Sequence, residues 1–345
     1  MIAGYNQAWF LPLGGNAHYG RDLVVNFDLR TVEATFDLLR QAGSHHIRLW
    51  LFEANNQPIE GLLIKGDAAM GMAPELQQNI IAVMELAQAR QISVYWTLLA
   101  PNTGYNAQAA RATDRAPLPE YQQFYGRLFD VQKHPYEAFS FIERVVLPLA
   151  ALLEPYCDHV YALDLVNEID FVAATYLRHA PDRFPIMGSW LDAVLRSVRT
   201  ALPHPPRLGA SFGYEQARYP LLSHIAATGL NLDFFDLHTY NNEGAIHLPT
   251  DLPAAAPWIL GEFGRRSPTA PQPDEPLLQA HTTASFLASA AALGAEAAFA
   301  WRLLEDYRTH WSFFENTRHG ERIEVGAPKP AVETIRQWNA QPPPA

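Results

Sequence analysis

The sequence predicts an α/β protein whose eight parallel strands, each followed by a helix or loop, close into a barrel. Three observations predict it. Short apolar runs alternate with segments of helical period along all 345 residues, the pattern of a parallel sheet with crossover helices. Eight such units are the number that closes a (β/α)8 TIM barrel. Finally, no Gly-rich phosphate fingerprint follows an early strand, as an open doubly wound sheet would lead one to expect.

The elements follow in order. Ala8-Trp9-Phe10-Leu11-Pro12-Leu13 reads as strand one and runs into the polar loop Gly14-Gly15-Asn16-Ala17-His18. Asp28 is placed to cap a helix in which Val32, Phe36, Leu38, Leu39 and Ala42 recur, and Gly43 ends it. Strand two, Ile47–Phe52, carries Arg48 and Trp50 on one face. A polar, Gly-containing loop leads to a helix from Pro74 to about Arg90, with proline in the first turn. Strand three, Ile92–Leu99, exits through Ala100-Pro101-Asn102. The stretch from Thr103 to Tyr136 shows no clean period, and its aromatics favour a folded flap. Helical pattern resumes from Ala138 to Tyr156, where Pro148 predicts a kink. Strand four, Val160–Glu168, precedes a second long loop to Pro185 and a helix from Ser189 to Leu202. Arg207–Phe212 is strand five, and Ala217–Thr228 is helical despite Pro220. Phe234–Tyr240 is strand six, and the Pro-rich connection His247–Pro257 is a poor helix. Trp258–Glu262 is strand seven, Gln279–Leu293 a small-residue helix, and Ala297–Trp301 strand eight. A long exit loop and a helix from Ala331 to Asn339 close the chain. No linker divides these units, so residues 1–345 are expected to form one domain with long loops after strands three, four and eight.

Composition narrows the function. Hydrophobic residues make up 48% and aromatics 12%, ample for a large core. A net charge of −11 argues against nucleic acid or an anionic membrane as partner, whereas a neutral sugar meets no repulsion. The lone cysteine, Cys157, leaves no internal disulfide and no metal-type cysteine cluster. Met1-Ile2-Ala3-Gly4-Tyr5-Asn6-Gln7 lacks the pattern of a signal peptide, and no run approaches the roughly 18 apolar residues of a membrane span. A cytoplasmic protein is the expectation. No cofactor is expected, and oligomeric state is not legible.

Polar side chains collect at the strand exits: Asn16 and His18, Arg48, Asn102, Asn167 and Glu168, His238 and Tyr240, Glu262, and Trp301. In a barrel such positions are catalytic candidates. Glu168 and Glu262 end strands four and seven and would face each other across the mouth. Paired carboxylates are what hydrolysis of a glycosidic acetal needs, one to protonate the leaving oxygen and one to attack or to activate water. Simpler roles stand beside these. Glu168 could cap the turn after it, Glu262 could be a solvated strand end, and His18 could be a hydrogen-bonded loop histidine. His45 and His46 read as structural, mid-strand Asp164 as buried and hydrogen-bonded, and Trp50 and Trp96 as barrel filling. Tyr105 and Tyr121 would line a subsite or pack the flap, and Glu305 and Asp306 belong to a solvated loop.

Arg48 in Ile47-Arg48-Leu49-Trp50, Asn167-Glu168, His238-Thr239-Tyr240, Gly261-Glu262-Phe263-Gly264 and Trp301 together give the chain a further property: it resembles clan A of the glycoside hydrolases, nearest to family 5. Two positions depart from the family 5 pattern: no histidine stands near the end of strand three, and Ile169 replaces the usual proline after Asn-Glu. The resemblance implies a retaining β-glycoside hydrolase with Glu168 as acid/base and Glu262 as nucleophile. It further implies that Asn167 bonds the sugar 2-hydroxyl and that Tyr240 holds Glu262. Arg48 would keep Glu262 ionised, and Trp301 would stack on the sugar, a β-linked glucan or mannan. One geometric condition follows. Neighbours on a regular strand point to opposite faces, so Asn167 and Glu168 share a cleft only if the strand bulges or ends there. Two other functions fit the same exits. One is a metal-dependent barrel isomerase or hydrolase ligated by His18, His238, Glu168 and Glu262. The other is a non-catalytic carbohydrate-binding barrel.

Overall fold

The chain opens on a run with Ala3 and Gly4 at its centre, and that run forms the first strand. In the computed structural model β1 is Ile2–Asn6; of the more apolar run at 8–13 only Ala8 and Phe10 are among the described residues, and neither lies in a strand. The structure describes residues 1–8, 10, 23–24, 27–53, 59, 61–101, 119–213, 215–250, 252, 256–265, 273–304, 311–319 and 322–341. Close packing explains why small residues serve here. A Cβ on Gly4 would stand 2.7 Å from the Phe299 ring and 2.8 Å from the His46 carbonyl oxygen. A bulkier strand would hold its neighbours apart.

The remaining barrel strands are β2 His46–Glu53, β3 Ser93–Ala100, β4 Val160–Val166, β5 Leu208–Phe212, β6 Phe234–Tyr240, β7 Trp258–Gly264 and β8 Ala297–Ala300. All neighbours run parallel, and β1 pairs with both β2 and β8, which closes the barrel. The expected fold class is therefore the observed one, and strands two to eight lie within two residues of their expected bounds.

Period-two alternation sorts each strand into an outward face, packed on helices, and an inward face that fills the barrel in layers. The floor is apolar: Tyr95, Ala162, Phe234, Ile259, Ala297 and Phe299 form a cluster separate from the main core. Directly above lies a polar layer of Asn6, Arg48, Thr97, Asp164, Ser211 and Asp236, all fully buried. Trp96 faces outward and donates to Met84 Sδ at 3.3 Å, beneath the helix Pro74–Ala89.

Several connections differ from expectation. The loop after β2 contains a hairpin, Leu62–Lys65 with Ala68–Met72, and the loop after β8 contains another, Phe314–His319 with Arg322–Pro328. The first joins strands of four and five residues, too few to show a period. The described part of the flap is helical at Pro119–Phe129, and Ile169–Tyr176 is helical where a loop is expected. Pro148 is absorbed, not broken at: a π-helical turn at Ile142–Val146 precedes Leu147–Leu153, rearranging the hydrogen bonds that the missing N–H would interrupt. Between β6 and β7 no helix occurs among the described residues. Likewise, among the described residues, no helix is long and apolar enough to cross a membrane.

Candidate active site

Inward alternation on β2 buries Arg48 in the polar layer, where both terminal guanidinium nitrogens meet acceptors. Nη1 donates to Glu262 Oε1 at 2.6 Å and to Asn6 Oδ1 at 3.1 Å. Nη2 donates to Asp164 Oδ2 and Asn167 Oδ1, both at 2.8 Å. Asp236 Oδ2 lies 3.9 Å from Nε. Burial opposes the charge, but Glu262, the Tyr95 phenol, Asp164 and Asp236 outweigh it and raise the pKa, so Arg48 is a permanent cation. Asp164 is itself satisfied by Ser211 Oγ at 3.1 Å, the Ser211 N–H at 3.1 Å and Thr97 Oγ1 at 3.3 Å. Burial nevertheless raises its pKa, against the pull of Arg48. The expected structural role for Asp164 is the observed placement.

Glu262 is 4% exposed, and both its oxygens are engaged. Arg48 holds Oε1, and the Tyr240 hydroxyl donates to Oε2 at 2.7 Å. Burial and the Glu262 charge raise the Tyr240 pKa well above the ordinary phenol range, which keeps it a donor.

The far side of the cleft comes from the exit of β4. The strand stops at Val166, and Glu168 adopts φ 49°, ψ 54° in the left-handed region. For a non-glycine residue that conformation costs about 1–2 kcal/mol. It meets the geometric condition set by the sequence: Asn167 reaches Arg48, and Glu168 reaches His238 Nδ1 with Oε1 at 3.3 Å. Glu168 occupies the N-cap position of Ile169–Tyr176, yet its side chain makes no cap hydrogen bond. Its carboxylate faces the cleft instead. With the Asn167 carbonyl oxygen taken by Arg48, the amide NH2 is the end available to a ligand.

His238 lies between the two glutamates, its Nδ1 3.3 Å from Glu168 Oε1 and 3.6 Å from Glu262 Oε2. Its Nε2 lies 3.6 Å from Asp236 Oδ2. Burial would favour the neutral ring, but Glu262 and Asp236 prevail and push the pKa up to about 10. The three groups Glu168, His238 and Glu262 place one ligand-type atom each within 4.8 Å of one another. That spacing invites a metal, but the donor set does not suit one. Both oxygens of Glu262 are already engaged, and the Arg48 guanidinium supplies its counter-cation.

Trp301 follows β8 and is 8% exposed, with its ring centroid 5.6 Å from that of Trp50. The Arg302 guanidinium lies 5.8 Å from the Trp301 ring. Trp50, expected to fill the barrel, is half-buried at the mouth beside Trp301. Asn16, His18 and Asn102 lie outside the described residues, as do Tyr105, Glu305, Asp306 and the side chain of Tyr121. Asp236 and Asn6 are the site-lining residues that sequence reasoning missed. Asp236 stands two before His238, hence on the same strand face, and Asn6 was hidden by the misplaced first strand.

No protein-family model matches the chain, and no curated protein matches its sequence. Solved structures do match. An endo-1,4-beta-mannanase from Eisenia fetida superposes with a TM-score of 0.62 at 13% identity, over 99% of this chain and 91% of that one. GH5_18 from Streptomyces cattleya, in complex with GlcNAc, gives 0.62 at 16% identity, over 99% and 82%. A hyperthermophilic beta-glucosidase from Pyrococcus furiosus gives 0.57 at 13% identity, over 99% and 95%. Identities this low carry the fold and nothing finer: the chain is built on the same (β/α)8 frame as these enzymes.

Proposed function

We propose that residues 1–345 act as one catalytic barrel, a retaining β-glycoside hydrolase of the clan A kind. The observation that carries this reading is the asymmetric pair of carboxylates. Glu168 and Glu262 face one another at the mouth, with oxygens within 4.8 Å, while Arg48 and Tyr240 both donate to Glu262. Retaining enzymes hold their carboxyl groups about 5–5.5 Å apart, whereas inverting ones need about 6.5–9.5 Å to admit a water. Glu262, locked in one rotamer by two charge-assisted donors, attacks the anomeric carbon. Glu168 gives its proton to the leaving oxygen, then takes one from the water that releases the sugar. The Asn167 amide donates to the sugar 2-hydroxyl, and Trp301, with Trp50 beside it, offers an aromatic face to the ring. As further substrate contacts we propose Asn16, His18 and Asn102, which lie outside the described residues.

The substrate class we assign is a β-linked gluco- or manno-oligosaccharide. It draws support from the fold shared with an endo-1,4-beta-mannanase and a beta-glucosidase. The test is Glu262→Ala on an aryl β-glycoside. Turnover should vanish, and added azide should restore part of it as a sugar azide of inverted configuration. Near-normal activity in that variant would remove Glu262 from the chemistry. Tight oligosaccharide binding with no product from the wild-type protein would point to a binding barrel instead.

A further inference from the structure

Strand β7 carries one more residue than its neighbours where Glu262 leaves it. Against β6, Leu260 pairs with Leu237 and Glu262 with His238; against β8, Leu260 pairs with Ala298 and Phe263 with Ala300. Gly261 is the inserted residue of a β-bulge, a device that turns a strand and re-aims the side chain after it. A bulge takes backbone groups off the ladder, and buried groups must then find partners elsewhere. Here both are found in the polar layer. Asp236 Oδ1 accepts from the Gly261 N–H at 2.6 Å, and Asn6 Nδ2 donates to the Gly261 carbonyl oxygen at 2.8 Å. A Cβ on residue 261 would lie 1.9 Å from Asp236 Oδ2, so glycine is what admits the carboxylate.

Asp236 is fully buried, and its second oxygen faces the site machinery. Oδ2 accepts from the Tyr95 hydroxyl at 2.7 Å and lies 3.6 Å from His238 Nε2. Placing Nε2 against Asp236 turns Nδ1 toward Glu168 and Glu262. One carboxylate thus bears on both glutamates, through the backbone of one and through the imidazole facing the other. A buried carboxylate is expensive to keep without such duties.

We propose that Asp236 is a positioning residue for the reaction assigned above: its carboxylate staples the Gly261 bulge that aims Glu262 and orients His238 between the two glutamates. This rests on the reading of Glu262 as nucleophile and Glu168 as acid/base. The charged groups facing His238 are Glu168 and Asp164 from β4 and its exit, Asp236 from its own strand, Glu262 from β7 and Arg48 from β2. Removing the Asp236 charge takes away one of the groups that hold the ring protonated.

The experiment is Asp236→Asn, a near-isosteric change, on an aryl β-glycoside that the wild type hydrolyses. Misplacing a reacting group by about 1 Å costs about 100-fold, so kcat should fall by that order with KM unchanged. The alkaline limb of kcat/KM should move to lower pH. Imidazole ¹⁵N titration should show the His238 midpoint lowered in the variant. Wild-type kcat together with a wild-type alkaline limb would overturn the proposal. If Asp236→Asn does not fold, Asn6→Ala removes the opposite clamp on Gly261: a similar loss of kcat supports the staple, and wild-type turnover overturns it. The two readings fail separately. An active Glu262→Ala protein discards the nucleophile assignment, while the His238 midpoint still reports the Asp236 contact. A dead, azide-rescued Glu262→Ala beside a wild-type-like Asp236→Asn discards the staple alone.

Discussion

At Arg48 a fully buried guanidinium meets Glu262, Asp164, Asn6 and Asn167 at once. The sequence offered Arg48 as a guard for Glu262, and that contact is present. The other partners were not legible, because they arrive from two other strands, β1 and β4, whose relative heights depend on barrel register. His238 is the residue with a pH consequence. Its pKa is raised from the usual 6.5 to about 10, so the folded state binds a proton that the unfolded chain releases earlier. The stability this contributes is fully present below pH 6.5 and is lost as pH rises toward about 10. Urea unfolding midpoints should therefore fall across that window, and His238→Gln should flatten the slope. An unchanged slope in the variant would show that the ring is not held charged.

Among elements, β4 and its exit decide the most. Strand alternation alone would separate Asn167 from Glu168; ending the strand at Val166 and turning Glu168 into the left-handed region brings them to one cleft. That turn needs room. A Cβ on Gly213, just past β5, would lie 2.3 Å from Glu168 Oε1. Gly213→Ala should push the Glu168 carboxylate aside and lower kcat about 100-fold. The loss should be steeper for poor leaving groups than for activated aryl ones, since only the former depend on the acid. Equal losses across leaving groups would mean that Glu168 had not moved. The hairpin at 62–72 carried a turn signal, Lys65-Gly66-Asp67, with Gly66 at φ 62°. Its strands of four and five residues were too short for alternation to stand out from the surrounding loop.

Across the whole molecule, the barrel is stacked: an apolar floor, a buried polar layer and a mouth with the two glutamates. The floor is a core of its own, apart from the shell between strands and helices. Phe299 packs there against Tyr95 at 5.4 Å and Tyr161 at 5.8 Å between ring centroids. Phe299→Ala should cost about 3–5 kcal/mol of unfolding free energy, because a closed barrel has little freedom to collapse into the cavity. Urea titration measures it, and a loss below about 1 kcal/mol would mean that the floor repacks.

What the sequence by itself determined is the order of strands and helices and the identity of the polar residues at their exits. Periodicity and composition are local properties, and each barrel strand after the first declared itself within its own few residues. The first strand did not, because Ala3 and Gly4 were chosen by the neighbours they touch and not by their own apolarity. Only the tertiary structure decided which exits meet. Glu262 is aimed by a bulge held from β6 and β1, Glu168 by a left-handed turn beside β5, and Arg48 by a register spanning the closed sheet. Those are agreements in height between strands far apart in the chain, and no local pattern encodes them.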